Sequence, residues 1–407
     1  MKKYKKKLLF VNESLALAGG EKSLIALLSK LDPNKYEIDL QLFKYGKELD
    51  AFIPEHVNIL PPLPYTQFVT KGWFKNIGTL INLSTIGFFI SKLTYSINIR
   101  RGAYNHPEKS QIYWKAAANS LTVSNKKYDV AIAYAQGIPT YYVIDKIIAN
   151  KKIAWVNVNM QSKPKNKVYQ KTYYNKYKAI VAVSEGTNKH LRGLFPNLSN
   201  KYYTITDIID YASILKMASF SSKSFDKSCF NILTVARLNK TQKGYDILLE
   251  VVKILKDRGV NFHWYAIGEG SYKPEMLKYI EQYKLKDRFT FLGVTANPYP
   301  YFKNADLYVQ TSRFEGYGLS IAEARLLNVP VVTTRFVNVF MQMVHGKNGL
   351  VVDIDANAVA DAIERMMNDQ QLYDSIVEYL KLEQKENYES VEKFDRLINN
   401  RISKDRT

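Results

Sequence analysis

The 407-residue chain has one cysteine, Cys229, which excludes an intramolecular disulfide and a cysteine-based zinc site. Its five histidines, His56, His106, His190, His263 and His345, share no H-x-x-x-H spacing, which argues against a histidine metal centre. Long apolar runs are missing. The uncharged segment Asn76–Ser91 is broken by polar residues and falls short of the roughly 20 residues a spanning helix needs. The start, MKKYKKKLLFVNES, has the basic stretch of a signal peptide, but its apolar run Leu8–Val11 stops at Asn12 and Glu13; it reads as a basic tail and a first buried strand. Acidic residues are scarce in one half. Residues 1–220 hold 32 Lys and Arg against 14 Asp and Glu, a net +18, whereas residues 221–407 hold 26 against 24. Such polarity implies an anionic partner: nucleic acid, an anionic lipid surface or a phosphate-bearing substrate. A lysine-, asparagine- and tyrosine-rich genome would account for the total but not for the asymmetry.

What is present is ordinary globular composition, 46% hydrophobic and 24% charged, with enough length for two or three domains. Short apolar runs alternate with helical periods. Strands are expected at Leu8–Asn12, Ile38–Phe43, Val130–Tyr134, Lys152–Val156 and Ala179–Val183, then at Asn231–Ala236, Phe262–Ile267, Phe289–Leu292, Ala305–Gln310, Pro330–Thr333 and Gly349–Val352. Alternation of this kind predicts α/β domains with mostly parallel sheets. The serine-rich stretch Ser219–Ser228 separates the two series, giving domains at 1–218 and 229–380. Open sheets of this class bind ligands at the carboxyl ends of their strands.

Arg237 directly follows the strand Asn231–Ala236, and Lys243-Gly244 precede a helix. A strand, a basic turn and a helix N-terminus suit a phosphate: the cations neutralise charge, free N–H groups donate and glycine admits the backbone. The same residues also suit a solvated basic loop. In Ser312–Thr334, Glu315 sits in a turn with Gly316 and Gly318, and Glu323 lies in the helix that follows. A glutamate flanked by Ile321, Ala322 and Ala324 is buried and needs hydrogen-bond donors, which sugar hydroxyls would supply; a cap or a pair with Arg313 or Arg325 would serve equally. Asp353-Ile-Asp355 has the D-x-D form of metal-dependent transferases, but its place between a strand and a helix favours capping.

The ordered set Arg237…Lys243-Gly244, Gly268-Glu269-Gly270, Phe291-Leu292-Gly293, Glu315-Gly316-Tyr317-Gly318 with Glu323, and Gly346-Lys347-Asn348-Gly349 resembles the donor half of the family-4 glycosyltransferases of the GT-B fold. Gly19-Gly20-Glu21-Lys22 is similar to that family's glycine turn, and Val183-Ser184-Glu185 to a strand end. The resemblance implies two Rossmann-like domains facing across a cleft: an acceptor domain at 1–218, a donor domain at 229–380, and a C-terminal helix at 381–407 packing back on the first. It implies a metal-independent, cofactor-free, retaining transfer from a nucleotide-diphosphate sugar, by family default a UDP-sugar. Arg237 and Lys243 would then hold the diphosphate, and Glu315, with the amides of Gly316, Tyr317, Gly318 and Leu319, would face the donor sugar or its phosphates. Glu323 would bind the ribose; Phe291, Leu292, Gly293 and Val294 would line the base pocket; Gly19 and Gly20 would approach the diphosphate. Two departures stand out. Asn157 takes the place of a frequent histidine on the acceptor side, and an amide is no general base near neutral pH. The loop Arg335–Val344 lacks the usual glycines.

Lys71, Trp73, Phe74 and Lys75 precede the uncharged segment, and Lys92, Arg100 and Arg101 follow it. Ile86, Ile90, Leu93 and Ile97 fall on one helical face, which suits either a helix lying in a membrane interface or a core helix pair. Lys163, Lys165, Lys167 and Lys171 add to this basic surface. The expectation is a cytoplasmic enzyme, peripheral on the inner face of the cell membrane, that builds a bacterial polysaccharide, glycolipid or lipid-linked glycan. A non-transferring GT-B enzyme such as a nucleotide-sugar epimerase needs no basic face. A nucleic-acid-binding protein would need a recognised module, and none is legible.

Overall fold

The computed structural model describes residues 4–70, 83–102, 104–157, 164–220, 225–383 and 388–401. Lys71, Trp73, Phe74, Lys75 and Lys163 lie outside the described residues. The chain divides into two compact units, Met1–Ile208 with Tyr388–Thr407, and Ile209–Asn387.

The first unit runs β1 (Lys6–Asn12), α1 (Gly19–Lys30), β2 (Tyr36–Leu42), β3 (Val57–Ile59), α2 (Pro64–Thr70), α3 (Leu83–Ile99), α4 (His106–Ala117), β4 (Lys127–Ala133), α5 (Ile138–Lys146), β5 (Ile148–Val156), α6 (Pro164–Tyr174), β6 (Ala179–Ala182), α7 (Glu185–Leu194) and β7 (Tyr202–Thr204). The second runs α8 (Tyr211–Ala218), β8 (Phe230–Val235), α9 (Tyr245–Asp257), β9 (Phe262–Ile267), α10 (Lys273–Gln282), β10 (Phe289–Gly293), α11 (Tyr299–Asn304), β11 (Leu307–Gln310), α12 (Leu319–Leu326), β12 (Val331–Thr334), β13 (Gly349–Val352), α13 (Ala356–Asn368) and α14 (Gln370–Leu382). The last helix, α15 (Tyr388–Ile398), belongs to the first unit.

The sheets are ordered β3-β2-β1-β4-β5-β6-β7 and β10-β9-β8-β11-β12-β13, and the paired strands are parallel. Strands buried on both faces read as continuous apolar runs, and the period of two divides their side chains. Leu8 and Phe10 of β1 meet Leu24, Leu27 and Leu28 of α1 and Phe394, Leu397 and Ile398 of α15 on one face. Leu9 and Val11 meet Tyr65, Trp114, Tyr141 and Tyr142 on the other. In the second sheet Ile232 packs with Leu248 and Val252 of α9, and Leu233 with Phe302 and Ile321. The division between units falls at Ile208, ahead of Ser219–Ser228, because α8 places Ile214 and Ala218 in the second unit's core beside Tyr299 and Phe302.

Each sheet reverses direction once, between β1 and β4 and between β8 and β11. The carboxyl ends of those strands carry the loops that matter: Gly19 and Gly20 follow β1, Arg237 and Lys243 follow β8, and Glu315 follows β11.

Candidate active site

In the second unit the loops after β8 and β11 are packed backbone to backbone. Gly244 has φ +65°, and a Cβ there would lie 2.0 Å from the Thr311 carbonyl oxygen, so only glycine allows the approach. Thr311 Oγ1 donates to the carbonyls of Lys243 and Gly244 at 3.1 and 3.0 Å. This contact delivers Lys243 to Glu315, with Nζ 2.6 Å from Oε1. The Glu315 carboxylate is buried, and the same oxygen also accepts from Gln310 Nε2 at 3.0 Å and Ser312 Oγ at 2.6 Å. A buried charge is tolerable only with such donors. Gln310 is oriented in turn by the Tyr308 hydroxyl, 2.8 Å away. Arg237 is exposed and makes a long 3.4 Å contact to Gln242 Oε1, which leaves its guanidinium open to an anion.

The turn after Glu315 is held from below by two side-chain amides that the sequence reading missed. Asn338 Nδ2 donates to the carbonyls of Glu315 and Gly316, both at 3.0 Å. Gln342 Nε2 donates to those of Tyr317 and Gly318 at 2.5 and 3.1 Å. Gly318, with φ +92°, then starts α12, and Leu319 is its first residue. Glu323 is buried in that helix, its Oε1 accepting from the Tyr299 hydroxyl at 2.9 Å. Burial, and then the neighbouring Glu323 charge, hold the Tyr299 hydroxyl well above its ordinary pKa, so it stays a donor. The two arginines considered as partners of Glu323 are engaged elsewhere: Arg313 is bidentate to Asp246, with both contacts at 2.8 Å, and Arg325 meets Glu383 at 2.5 Å. Burial raises the Asp246 carboxyl and the Arg313 pairing outweighs it, leaving the pKa lowered.

Phe291, Leu292 and Gly293 end β10, with Lys273 Nζ 5.6 Å above the Phe291 ring and Val294 exposed just beyond. Asp355 caps α13, accepting from the Ala358 amide at 3.0 Å, and Asp353 lies 3.5 Å from Arg335. In the first unit Gly19 and Gly20 open α1, and a Cβ on Gly20 would lie 3.0 Å from Asn157 Nδ2. Asn157 donates through Nδ2 to the Tyr134 carbonyl at 2.9 Å; its Oδ1 has no hydrogen-bond partner among the described residues. Gly20 and Asn157 thus meet at the carboxyl ends of β1 and β5, and in the other unit Lys243 and Glu315 meet, while Arg237 contacts Gln242 and Glu323 contacts Tyr299.

Residues 218–383 match the family model described as "Glycosyl transferases group 1". The second unit is a glycosyl transferases group 1 domain. An uncharacterized glycosyltransferase of Methanocaldococcus jannaschii is 28% identical over 206 residues, 47% of this chain and 50% of that protein. The poly(ribitol-phosphate) alpha-N-acetylglucosaminyltransferase of Staphylococcus aureus is 35% identical over 130 residues, 31% of this chain and 26% of its own length. The chain thus spans half or less of these relatives. Among solved structures, Anabaena HepE in complex with UDP and glucose aligns with a TM-score of 0.67 at 16% identity, over 98% of this chain and 100% of the other. A TarM variant of S. aureus, in complex with fondaparinux, alpha-GlcNAc-glycerol and UDP, aligns at 0.66 and 16% identity over 97% and 100%. These likenesses establish two parallel-sheet α/β domains matching GT-B glycosyltransferase structures. Within the group 1 domain, Arg237, Lys243, Glu315 and Glu323 all lie inside the matched residues.

Proposed function

We propose that the chain transfers a sugar from a nucleoside-diphosphate sugar, a UDP-sugar by preference, to a glycan, glycolipid or lipid-linked acceptor at a membrane surface, with retention at the anomeric carbon. The observation carrying this reading is the buried Lys243–Glu315 contact beside exposed Arg237, at the point where the second sheet reverses. Breaking the bond from the anomeric carbon to phosphate loads negative charge onto the diphosphate, and fixed cations aimed there lower the barrier. Lys243 and Arg237 supply that charge without a metal in this reading, and the N-terminus of α12 adds to it. Glu323 takes the ribose hydroxyls and Phe291–Val294 the base. UDP in the HepE and TarM structures supports the choice of nucleotide.

On the acceptor side Asn157 orients a hydroxyl through its Oδ1 but cannot remove the proton. The acceptor oxygen therefore bonds to the anomeric carbon on the face that the diphosphate leaves, and its proton passes to the departing phosphate oxygen. The test is thermal stabilisation by a panel of nucleotide sugars, with anomeric configuration of the product read by NMR. One donor should raise the melting temperature of the wild type, with Lys243→Ala and Glu323→Gln losing most of the shift. Equal stabilisation of all three proteins, or an inverted product, would refute the assignment.

A further inference from the structure

We infer that the outward face of α3 is a docking surface for an anionic lipid bilayer; this rests on the membrane-surface part of the reading above and names the element that makes the contact. The rotation of α3 is fixed by its inner side. Phe88 packs on Tyr65 and Phe68 with ring centroids 5.5 and 5.6 Å apart, Tyr95 packs on Tyr113 at 5.5 Å, and Ser91 Oγ meets Ser120 Oγ at 2.7 Å. With that side satisfied, Ile86, Ile90, Leu93 and Ile97 face outward and are 44, 61, 51 and 45% exposed. At 100° per residue they share an arc of about 60° and a length of about 16 Å. The core-pair alternative therefore fails for this face. Single exposed apolar residues are commonplace on a soluble surface, whereas a row of four branched aliphatics along one helix is a contact surface.

The charge around the row selects the occupant. No Asp or Glu occurs between Glu55 and Glu108, while Arg100 and Arg101, both exposed, lie just past the end of α3; Lys92 turns to the inner side, its Nζ 5.6 Å from the Phe68 ring. A second copy laid on the row in either direction would offer the two arginines no carboxylate from this segment, which has none. An acidic lipid surface would neutralise them while its acyl boundary takes up the isoleucines. Among the described residues no helix is long and apolar enough to cross a membrane, so α3 lies on the bilayer and does not span it.

The experiment is vesicle co-sedimentation of the full chain, wild type and Ile90→Ser/Leu93→Ser, on phosphatidylcholine alone and mixed with phosphatidylglycerol. The wild type should sediment with the mixed vesicles, less so as salt rises, and not with the neutral ones. The variant should lose affinity by about tenfold or more while keeping its melting temperature. Equal retention of both proteins would overturn the inference, and so would a wild type that ignores acidic vesicles. A dimer that the two serines dissociate in sedimentation velocity would also overturn it, by naming a second copy as the occupant. Nucleotide-sugar stabilisation, measured on both proteins, keeps the transferase reading separate. Its absence beside intact vesicle binding would sink that reading alone, and its presence without vesicle binding would sink the docking surface alone.

Discussion

At the scale of single residues, two buried carboxylates are treated very differently. Glu315 has three donors on one oxygen, whereas Asp207 is more than nine-tenths buried and its Oδ1 has no hydrogen-bond partner among the described residues. Burial first, and the nearby Glu21 charge after it, raise the Asp207 carboxyl to about 7, against a hydrogen bond with Ser23. The unfolded chain gives up this proton near pH 3.9, so between roughly pH 4 and 7 the folded form holds more protons than the unfolded. Stability is therefore lost as pH rises through that window. Asp207→Asn removes the penalty: relative to wild type it should gain on the order of 2–4 kcal/mol at pH 8, roughly 5–15 °C in melting temperature, and nothing near pH 4. Calorimetry across pH reads this directly, and parallel curves for the two proteins would exclude it. Little of this was legible in the sequence. Lys243-Gly244 and the Glu315 turn were, because glycine and charge mark them. Tyr299, Gln310, Asn338 and Gln342 were not, because an amide or hydroxyl that donates across the fold leaves no spacing to read.

Among elements, the apolar pattern located the strands of four residues or more and passed over two shorter ones. β3 and β7 are three residues each, too few to show alternation, and both sit at sheet edges. The loop between β12 and β13 illustrates a different limit. Its sequence, with valine, phenylalanine and methionine where glycines were expected, reads as a change in donor-sugar selectivity. In the structure Phe336, Val339 and Met343 turn into the core while Asn338 and Gln342, four residues apart, strap the Glu315–Gly318 turn. Val337 and Phe340 are left facing outward. The loop thus acts as a clamp under the turn that presents the first amides of α12. Asn338→Asp puts a carboxylate where two carbonyl oxygens expect a donor, and a buried mismatch of this kind costs about 1–3 kcal/mol or more. Sugar transfer should fall in kcat/KM by about tenfold to a hundredfold, mostly in kcat if the turn is formed on the transition state, with a melting point lowered by a few degrees. Steady-state kinetics on the donor that stabilises the wild type reads the effect, and full activity would show that the strap is packing alone.

For the molecule as a whole, the α/β class and the charge asymmetry could be read from the residues, whereas the sharing of the chain between units was expected only from the family resemblance, as a C-terminal helix at 381–407 packing back on the first domain. One unit is a continuous stretch, Ile209–Asn387; the other is completed by α15, on the far side of it. The reason lies in a few side chains. Phe394, Leu397 and Ile398 are fully buried against β1 and α1, and the Phe394 ring lies 5.9 Å from Phe10 and 6.1 Å from Trp155. Deleting a buried phenylalanine alone costs about 3–5 kcal/mol, a large share of the 5–15 kcal/mol that holds a typical domain together. The two units should therefore behave differently when cut apart. Residues 209–387 contain Arg237, Lys243, Glu315 and Glu323 and close their own core, so as a fragment they should melt cooperatively and be stabilised by UDP. Residues 1–208 lack α15 and leave Leu8, Phe10 and Trp155 uncovered, so they should show no cooperative melt until a peptide carrying residues 388–401 is added. Calorimetry of both fragments decides the matter: a cooperative transition from 1–208 alone would mean that α15 decorates the first unit without completing it, and a UDP-insensitive 209–387 would mean that the nucleotide site is not built within the second.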